Sequence, residues 1–228
     1  MTLLDYPGKV ACTVFLQGCN FRCPFCHNSD LLDTAGQGSF STEALLAFLQ
    51  KRRGILDGVC ITGGEPTLQK DLKELLRQIK TLGYSIKLDT NGYRPDVLKE
   101  LVVEGLVDYV AMDIKNCPDR YAETAGLPQI NLDKIEESIR FLLSGAVKFE
   151  FRTTVVEELH NEQTVEKIGL WLERLDGVHK VQNYFLQPYA DRESVLMPGL
   201  HTPDRETLRR FQAVLGRFVE KAEIRGME

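Results

Sequence analysis

Three of the chain's six cysteines lie within eight residues, in Gly18-Cys19-Asn20-Phe21-Arg22-Cys23-Pro24-Phe25-Cys26-His27-Asn28. Thiolates gathered in one loop bind soft metals, and in a reducing compartment such clusters serve as metal ligands or redox groups more often than as disulfides. Zinc, an iron–sulfur cluster or no metal at all are the competing occupants. A closed zinc site takes four tetrahedral ligands, often as two separated Cys-x-x-Cys pairs. Here the gaps are three and two residues, Cys12, Cys60 and Cys117 stand singly, and zinc would have to recruit His27. A four-iron cluster held by three cysteines leaves one iron open to a substrate, as catalytic metal sites keep an open position. Spacing alone leaves all three readings open.

Further chemistry-bearing residues recur at intervals. Gly63-Gly64-Glu65-Pro66 joins two glycines, which let backbone approach a ligand, to a carboxylate and a stiff exit. Asp89 and Thr90 precede Asn91-Gly92, Asp113 and Lys115 flank Ile114, and Arg152 stands in a run of alternating charge. Gln187 and Tyr189 flank Pro188. Asp89, Asp113, Lys115 and Arg152 read either as a buried ion network or as seats for a charged ligand.

Positioning these residues falls to an alternation of elements. Apolar, β-branched runs at 10–17, 58–62, 85–90, 108–114, 147–155 and 180–187 are each followed by a helical pattern, at about 42–53, 70–82, 95–104, 132–144, 162–175 and 203–222. In the last helix Thr202 is expected to cap and Pro203 to open it, with Leu208, Phe211, Leu215 and Phe218 on one face. Six βα units imply parallel strands joined by right-handed crossovers, in a doubly wound sheet or a barrel. Lys148, Glu150, Arg152 and Thr154 share one strand face, while Phe149, Phe151 and Val155 share the other; Lys87 and Asp89 likewise oppose Ile86 and Leu88. A doubly wound sheet wants both faces apolar, so a charged face predicts strands lining a polar interior. Eight such units take about 250 residues. The expectation is a single α/β domain over 1–228, a partial (β/α)6 barrel with its core at about 8–190. The distinctive residues then fall at the C-terminal strand ends, where barrels assemble their sites.

A net charge of −5, from 28 basic and 33 acidic residues without a block of like charge, offers no footprint for nucleic acid or an anionic membrane. The opening residues lack a signal-peptide pattern and no run reaches membrane-spanning length, so a cytoplasmic protein is expected.

Cys19-x-x-x-Cys23-x-Phe25-Cys26 resembles the signature of the radical S-adenosylmethionine (radical SAM) superfamily, whose fold is a full or partial (βα) barrel. Gly63-Gly64-Glu65-Pro66 resembles its element for the amino group of the methionine moiety. Leu88-Asp89-Thr90-Asn91-Gly92 and Asp113-Ile114-Lys115 resemble elements of the glycyl-radical-enzyme activating proteins, and residues 5–28 are most similar to the branch acting on anaerobic ribonucleoside-triphosphate reductase. The resemblance implies one [4Fe-4S] cluster on Cys19, Cys23 and Cys26, with S-adenosylmethionine among Phe25, Cys26, His27, Gly63, Gly64, Glu65, Asp89, Thr90, Asp113, Ile114, Lys115, Arg152, Gln187 and Tyr189. It also implies a monovalent cation near Asp89 and Asp113, and His27 as a loop residue near the adenine. The expected reaction cleaves the cofactor reductively and leaves a glycyl radical on a partner, with flavodoxin or ferredoxin as electron donor. Two departures stand out. Ala190 follows Pro188-Tyr189 where the formate-lyase activator pattern has histidine, and no cysteine-rich insert precedes Gly63. Kept alongside are an activator of pyruvate formate-lyase, a small-molecule enzyme akin to deazapurine carboxylate synthase, and a zinc-binding interaction module.

Overall fold

The computed structural model describes residues 2–33, 40–176, 181–192 and 194–226. Its strands are β1 (Ala11–Leu16), β2 (Gly58–Gly63), β3 (Ser85–Thr90), β4 (Tyr109–Asp113), β5 (Lys148–Val155), β6 (Tyr184–Pro188) and β7 (Ala222–Ile224). Between them run α1 (Thr42–Lys51), α2 (Leu72–Thr81), α3 (Pro95–Val103), the short α4 (Tyr121–Thr124), α5 (Leu132–Leu143), α6 (Glu162–Asp176) and α7 (Arg205–Leu215). All seven strands are parallel and lie in sequence order, β1 to β7. A doubly wound sheet must reverse its strand order somewhere. Without a reversal, crossovers of one hand put every helix on one face, and the sheet curls with its other face inward. Among the described residues β1 and β7 are not paired, so the barrel is partial and open, as expected.

Register settles what each face carries. Cys60 pairs with Lys87, Lys87 with Tyr109, Asp89 with Ala111, Ala111 with Glu150, Asp113 with Arg152, Arg152 with Phe185 and Thr154 with Gln187. This alternate set is the interior. The other set, Val59, Ile61, Ile86, Leu88, Val110, Met112, Phe151, Tyr184 and Leu186, is buried under the helices and forms the main core. Burying a side chain of this size contributes roughly 1.5–3 kcal/mol, which is why the helix-facing set is apolar and the polar set must turn inward.

Three details depart from expectation. The C-terminal helix does not run over 203–222: Asp204, not Thr202, caps it by accepting a bond from Thr207 N at 2.7 Å, and it ends at Gly216. A seventh strand follows. Arg225, just beyond it, reaches the interior and forks onto Glu150 (Nη1–Oε1 2.8 Å, Nη2–Oε2 3.1 Å), with its guanidinium 3.6 Å from the Phe185 ring centre. Glu150 is fully buried and also accepts from Tyr109 Oη at 2.9 Å. The sixth strand starts at Tyr184; Lys180, placed in it by the sequence pattern, lies outside the described residues. At the opposite edge Thr2 bridges Ala11, and Tyr6 is buried 6.0 Å from the Tyr109 ring, filling the bottom of the barrel. Among the described residues no helix is long and apolar enough to cross a membrane.

Candidate active site

The three thiols sit in the long connection after β1, and this loop is tied down on every side. Gly18 N donates to Leu31 O (2.6 Å), Cys19 N to Leu32 O (3.2 Å), Arg22 N to Ala125 O (2.9 Å) and Cys26 N to Cys23 O (3.0 Å). From β2, Gly64 N donates to Leu16 O (2.8 Å) and Glu65 N to Gly18 O (2.7 Å). A Cβ on Gly64 would come within 2.7 Å of the Gly18 carbonyl carbon and closer still to its oxygen, so only glycine allows this approach. Gly63 has φ +116°, a conformation that side chains disfavour. The glycines therefore bring the β2 end against the cysteine loop.

Cys23 is buried, with Cys19 and Cys26 half-buried. Burial pushes the Cys23 thiol up to about 12 against the opposing pull of Lys115, and burial raises Cys19 as well. Thiols held this way stay protonated until a soft metal displaces the proton. Phe21 and Phe25 are buried beside them, Phe21 edge-on to Tyr93 at 5.7 Å. Asn20 accepts from Asn91 Nδ2 at 2.8 Å, but its own amide nitrogen is buried without a partner, which points to a group the polypeptide does not supply. Among the described residues no three His, Cys, Asp or Glu side chains converge on a metal ion. The donor set fits an iron–sulfur cluster.

Inside the barrel the charged residues form one chain. Lys87 pairs with Asp89, Asp89 Oδ2 with Arg152 Nη1 (3.2 Å), Asp113 Oδ1 with Arg152 Nη2 (2.9 Å), and Asp113 Oδ2 with Lys115 Nζ (3.0 Å). Burial raises the Asp113 carboxyl, but Arg152 and Lys115 outweigh it and hold it at about 2. Asp89 is held low by Arg152 and Lys87 against the same desolvation. Burial works against the charged form of Lys115, yet Asp113 and Cys23 raise it. Three cations thus face two anions, and Lys115 is the end of this chain that lies near the thiols. Behind it Tyr121 Oη donates to Asp113 O (3.3 Å), and His160 Nε2 meets Lys115 O (2.9 Å).

Several expected ligand contacts are redirected. The Glu65 carboxylate, 1% exposed, is taken up by Thr67 N (3.1 Å), Thr67 Oγ1, Thr90 Oγ1 (2.8 Å) and Asn91 N (2.7 Å), so it ties the β2 and β3 ends together and only its backbone faces the loop. Thr90 lies on the helix face, because strand parity sets it opposite Asp89. The Ile114 side chain belongs to the core. Arg152 lies between Asp89 and Asp113, the two carboxylates near which a monovalent cation is expected. Gln187 lies on the interior face, half-buried. Tyr189 is buried and stacks on His27, 5.6 Å between ring centres, while His27 Nε2 meets Ala190 O at 2.6 Å. Burial lowers His27, opposed by that carbonyl. Ser194 Oγ donates to His27 O (2.7 Å) and Met197 N to Pro24 O (3.0 Å), so the segment after β6 straps the cysteine loop. Sequence reasoning left Lys87, Asn20 and Arg22 out of the site; Lys87 was detectable two residues before Asp89 on the same face.

A family model described as the radical SAM superfamily matches residues 13–172. A protein of Methanocaldococcus jannaschii named "putative glycyl-radical enzyme activating enzyme" is 32% identical over 99% of this chain and 92% of its own length. The pyruvate formate-lyase 1-activating enzyme of Escherichia coli is 28% identical over 96% of this chain and 93% of its own. Among solved structures, Streptococcus suis SuiB bound to S-adenosylmethionine superimposes with a TM-score of 0.72 at 14% identity, over 96% of this chain and 50% of that one, a likeness of fold alone. With three loop thiols, the glycine-backed strand ends and these matches together, the chain belongs to the radical SAM superfamily, in its branch of glycyl-radical enzyme activating enzymes.

Proposed function

We propose that the chain holds one [4Fe-4S] cluster on Cys19, Cys23 and Cys26, binds S-adenosylmethionine across the strand ends, and places a glycyl radical on anaerobic ribonucleoside-triphosphate reductase. The carrying observation is the buried cation Lys115, held by Asp113 beside the loop of three thiols. When bound, the cluster and S-adenosylmethionine supply the chemistry, a one-electron reductive cleavage. The chain's own groups do the rest. Lys115, oriented by Asp113, would hold the cofactor carboxylate; Arg152 would keep Asp89 and Asp113 from repelling it; Gly63 and Gly64 would give the cofactor's amino group close backbone. Phe21 and Phe25 keep water out. His27 and Tyr189 offer a stacked pair for the adenine end. No proton relay is needed, since hydrogen-atom abstraction uses no general base.

The reductase is favoured by the similarity of residues 5–28 and by the lack of a cysteine-rich insert before Gly63. Pyruvate formate-lyase is the second reading, favoured by the 28% identity to its Escherichia coli activator. A flavodoxin or ferredoxin in the cytoplasm is the proposed electron donor. The test mixes reduced protein and S-adenosylmethionine with each enzyme from the same source and records the glycyl doublet by electron paramagnetic resonance. A doublet with the reductase alone supports the proposal; one with the lyase alone moves the chain to the second reading. Cofactor cleavage without a doublet on either favours a small-molecule substrate, as for 7-carboxy-7-deazaguanine synthase of Thermococcus kodakarensis, 27% identical over 75% of this chain.

A further inference from the structure

Arg22 stands between two ligand cysteines, yet its side chain turns away from the barrel interior and back onto the loop. Its Nη1 donates to Cys19 O at 2.6 Å and to Phe21 O at 2.9 Å, while its backbone is pinned by Ala125 O. Gly126 packs so closely on the Arg22 carbonyl that no side chain fits there, which fixes the loop at this residue. The side chain is 45% exposed, in a cleft of about 510 Å³ lined by Cys19, Leu32, Asp33, Gln69, Lys70 and Asp71, and its one ion pair among the described residues, to Asp33 at 3.7 Å, is with a side chain 86% exposed. Such a loose, solvated partner neutralises only part of its charge.

We propose that Arg22 is a tuning residue that raises the reduction potential of the metal centre through the Cys19 backbone. The inference rests on the cluster assigned above to Cys19, Cys23 and Cys26. Reduction adds one electron from the donor and hence one negative charge; Arg22 forms and breaks no bond and is a fixed cation clasped to the carbonyl of a ligand residue. A nearby cation stabilises the reduced form, and partial exposure keeps the effect moderate.

The experiment is a redox titration of anaerobically reconstituted full-length protein, following the reduced-cluster signal by electron paramagnetic resonance without S-adenosylmethionine. In Arg22→Gln the reduced-to-oxidised ratio at a fixed poise should fall about fivefold, ~40 mV for a one-electron couple, and Arg22→Lys should recover most of it. Asp33→Asn should shift the ratio the other way, by about twofold, because it removes the opposing charge. A potential in Arg22→Gln equal to or above that of the wild type, at equal iron content, overturns the proposal. If Arg22→Gln cannot hold iron, Asp33→Asn decides, and a fall or no change there also overturns it. A wild-type protein with no reducible cluster would instead overturn the reading on which this rests.

Discussion

Gly64→Ala tests whether the β2 end and the cysteine loop are held in fixed contact. The new methyl would lie within 2.7 Å of Gly18 C and 3.3 Å of Gly18 N, and both are backbone atoms with no side-chain torsion to relieve them. The two segments must part by about 1 Å, an overpacking that costs roughly 1–3 kcal/mol. They are also joined by the bonds Glu65 N to Gly18 O and Gly64 N to Leu16 O, and weakening one adds about 1 kcal/mol. The sum, about 2–4 kcal/mol, lowers the melting temperature of a chain this size on the order of 10 °C. Backbone strain plays no part, since Gly64 does not have a left-handed φ. Gly105→Ala is the matched control: its φ of +69° carries strain of roughly 1–2 kcal/mol, but nothing lies within 4 Å of the added methyl. Thermal unfolding of the iron-free proteins by circular dichroism compares the two. Iron retained after anaerobic reconstitution reports the second consequence, because Gly18 immediately precedes Cys19. A melting point no lower than that of Gly105→Ala, with full iron, refutes the reasoning: the loop would then yield freely.

Other expected outcomes concern the thiols, the cation chain and the C-terminal latch. Alanine at Cys19, Cys23 or Cys26 should abolish iron binding by anaerobic metal analysis, whereas alanine at Cys12, Cys60 or Cys117 should leave it; iron loss in Cys117→Ala as complete as in Cys23→Ala breaks the three-ligand assignment. Lys115→Ala should weaken S-adenosylmethionine binding at least tenfold by equilibrium dialysis, the value of one charge-assisted contact at about 1.5–3 kcal/mol, while sparing iron; unchanged affinity removes Lys115 from the site. Arg225→Ala leaves the fully buried Glu150 without its forked partner. A broken buried pair costs about 3 kcal/mol, so urea unfolding should show the loss, and a midpoint within error of wild type would mean that water replaces the guanidinium.

Much of the barrel was legible in the residues themselves, because strand and helix periods are local properties. Residues 85–90 are the observed β3, and the charged face of residues 148–154 distinguished a curled sheet with a polar interior from a doubly wound one. The cysteine loop was equally plain, since thiol spacing is written in the chain. β7 was not, because three residues carry no measurable period; of its residues only Ala222 fell within the expected helix. Nor could local pattern find Arg225, which meets Glu150 across 75 positions, or the strap that joins His27 to Ala190 across 163. Glu65 shows the same limit in the site: its sequence context offers a carboxylate to a ligand, yet Thr67, Thr90 and Asn91 surround it once β2 and β3 are in register. Residue type and spacing therefore determined which groups the protein brings to its barrel mouth. Strand register and loop packing decided which of them face the barrel interior, because a side chain's partners depend on neighbours that only the folded sheet brings within bonding distance.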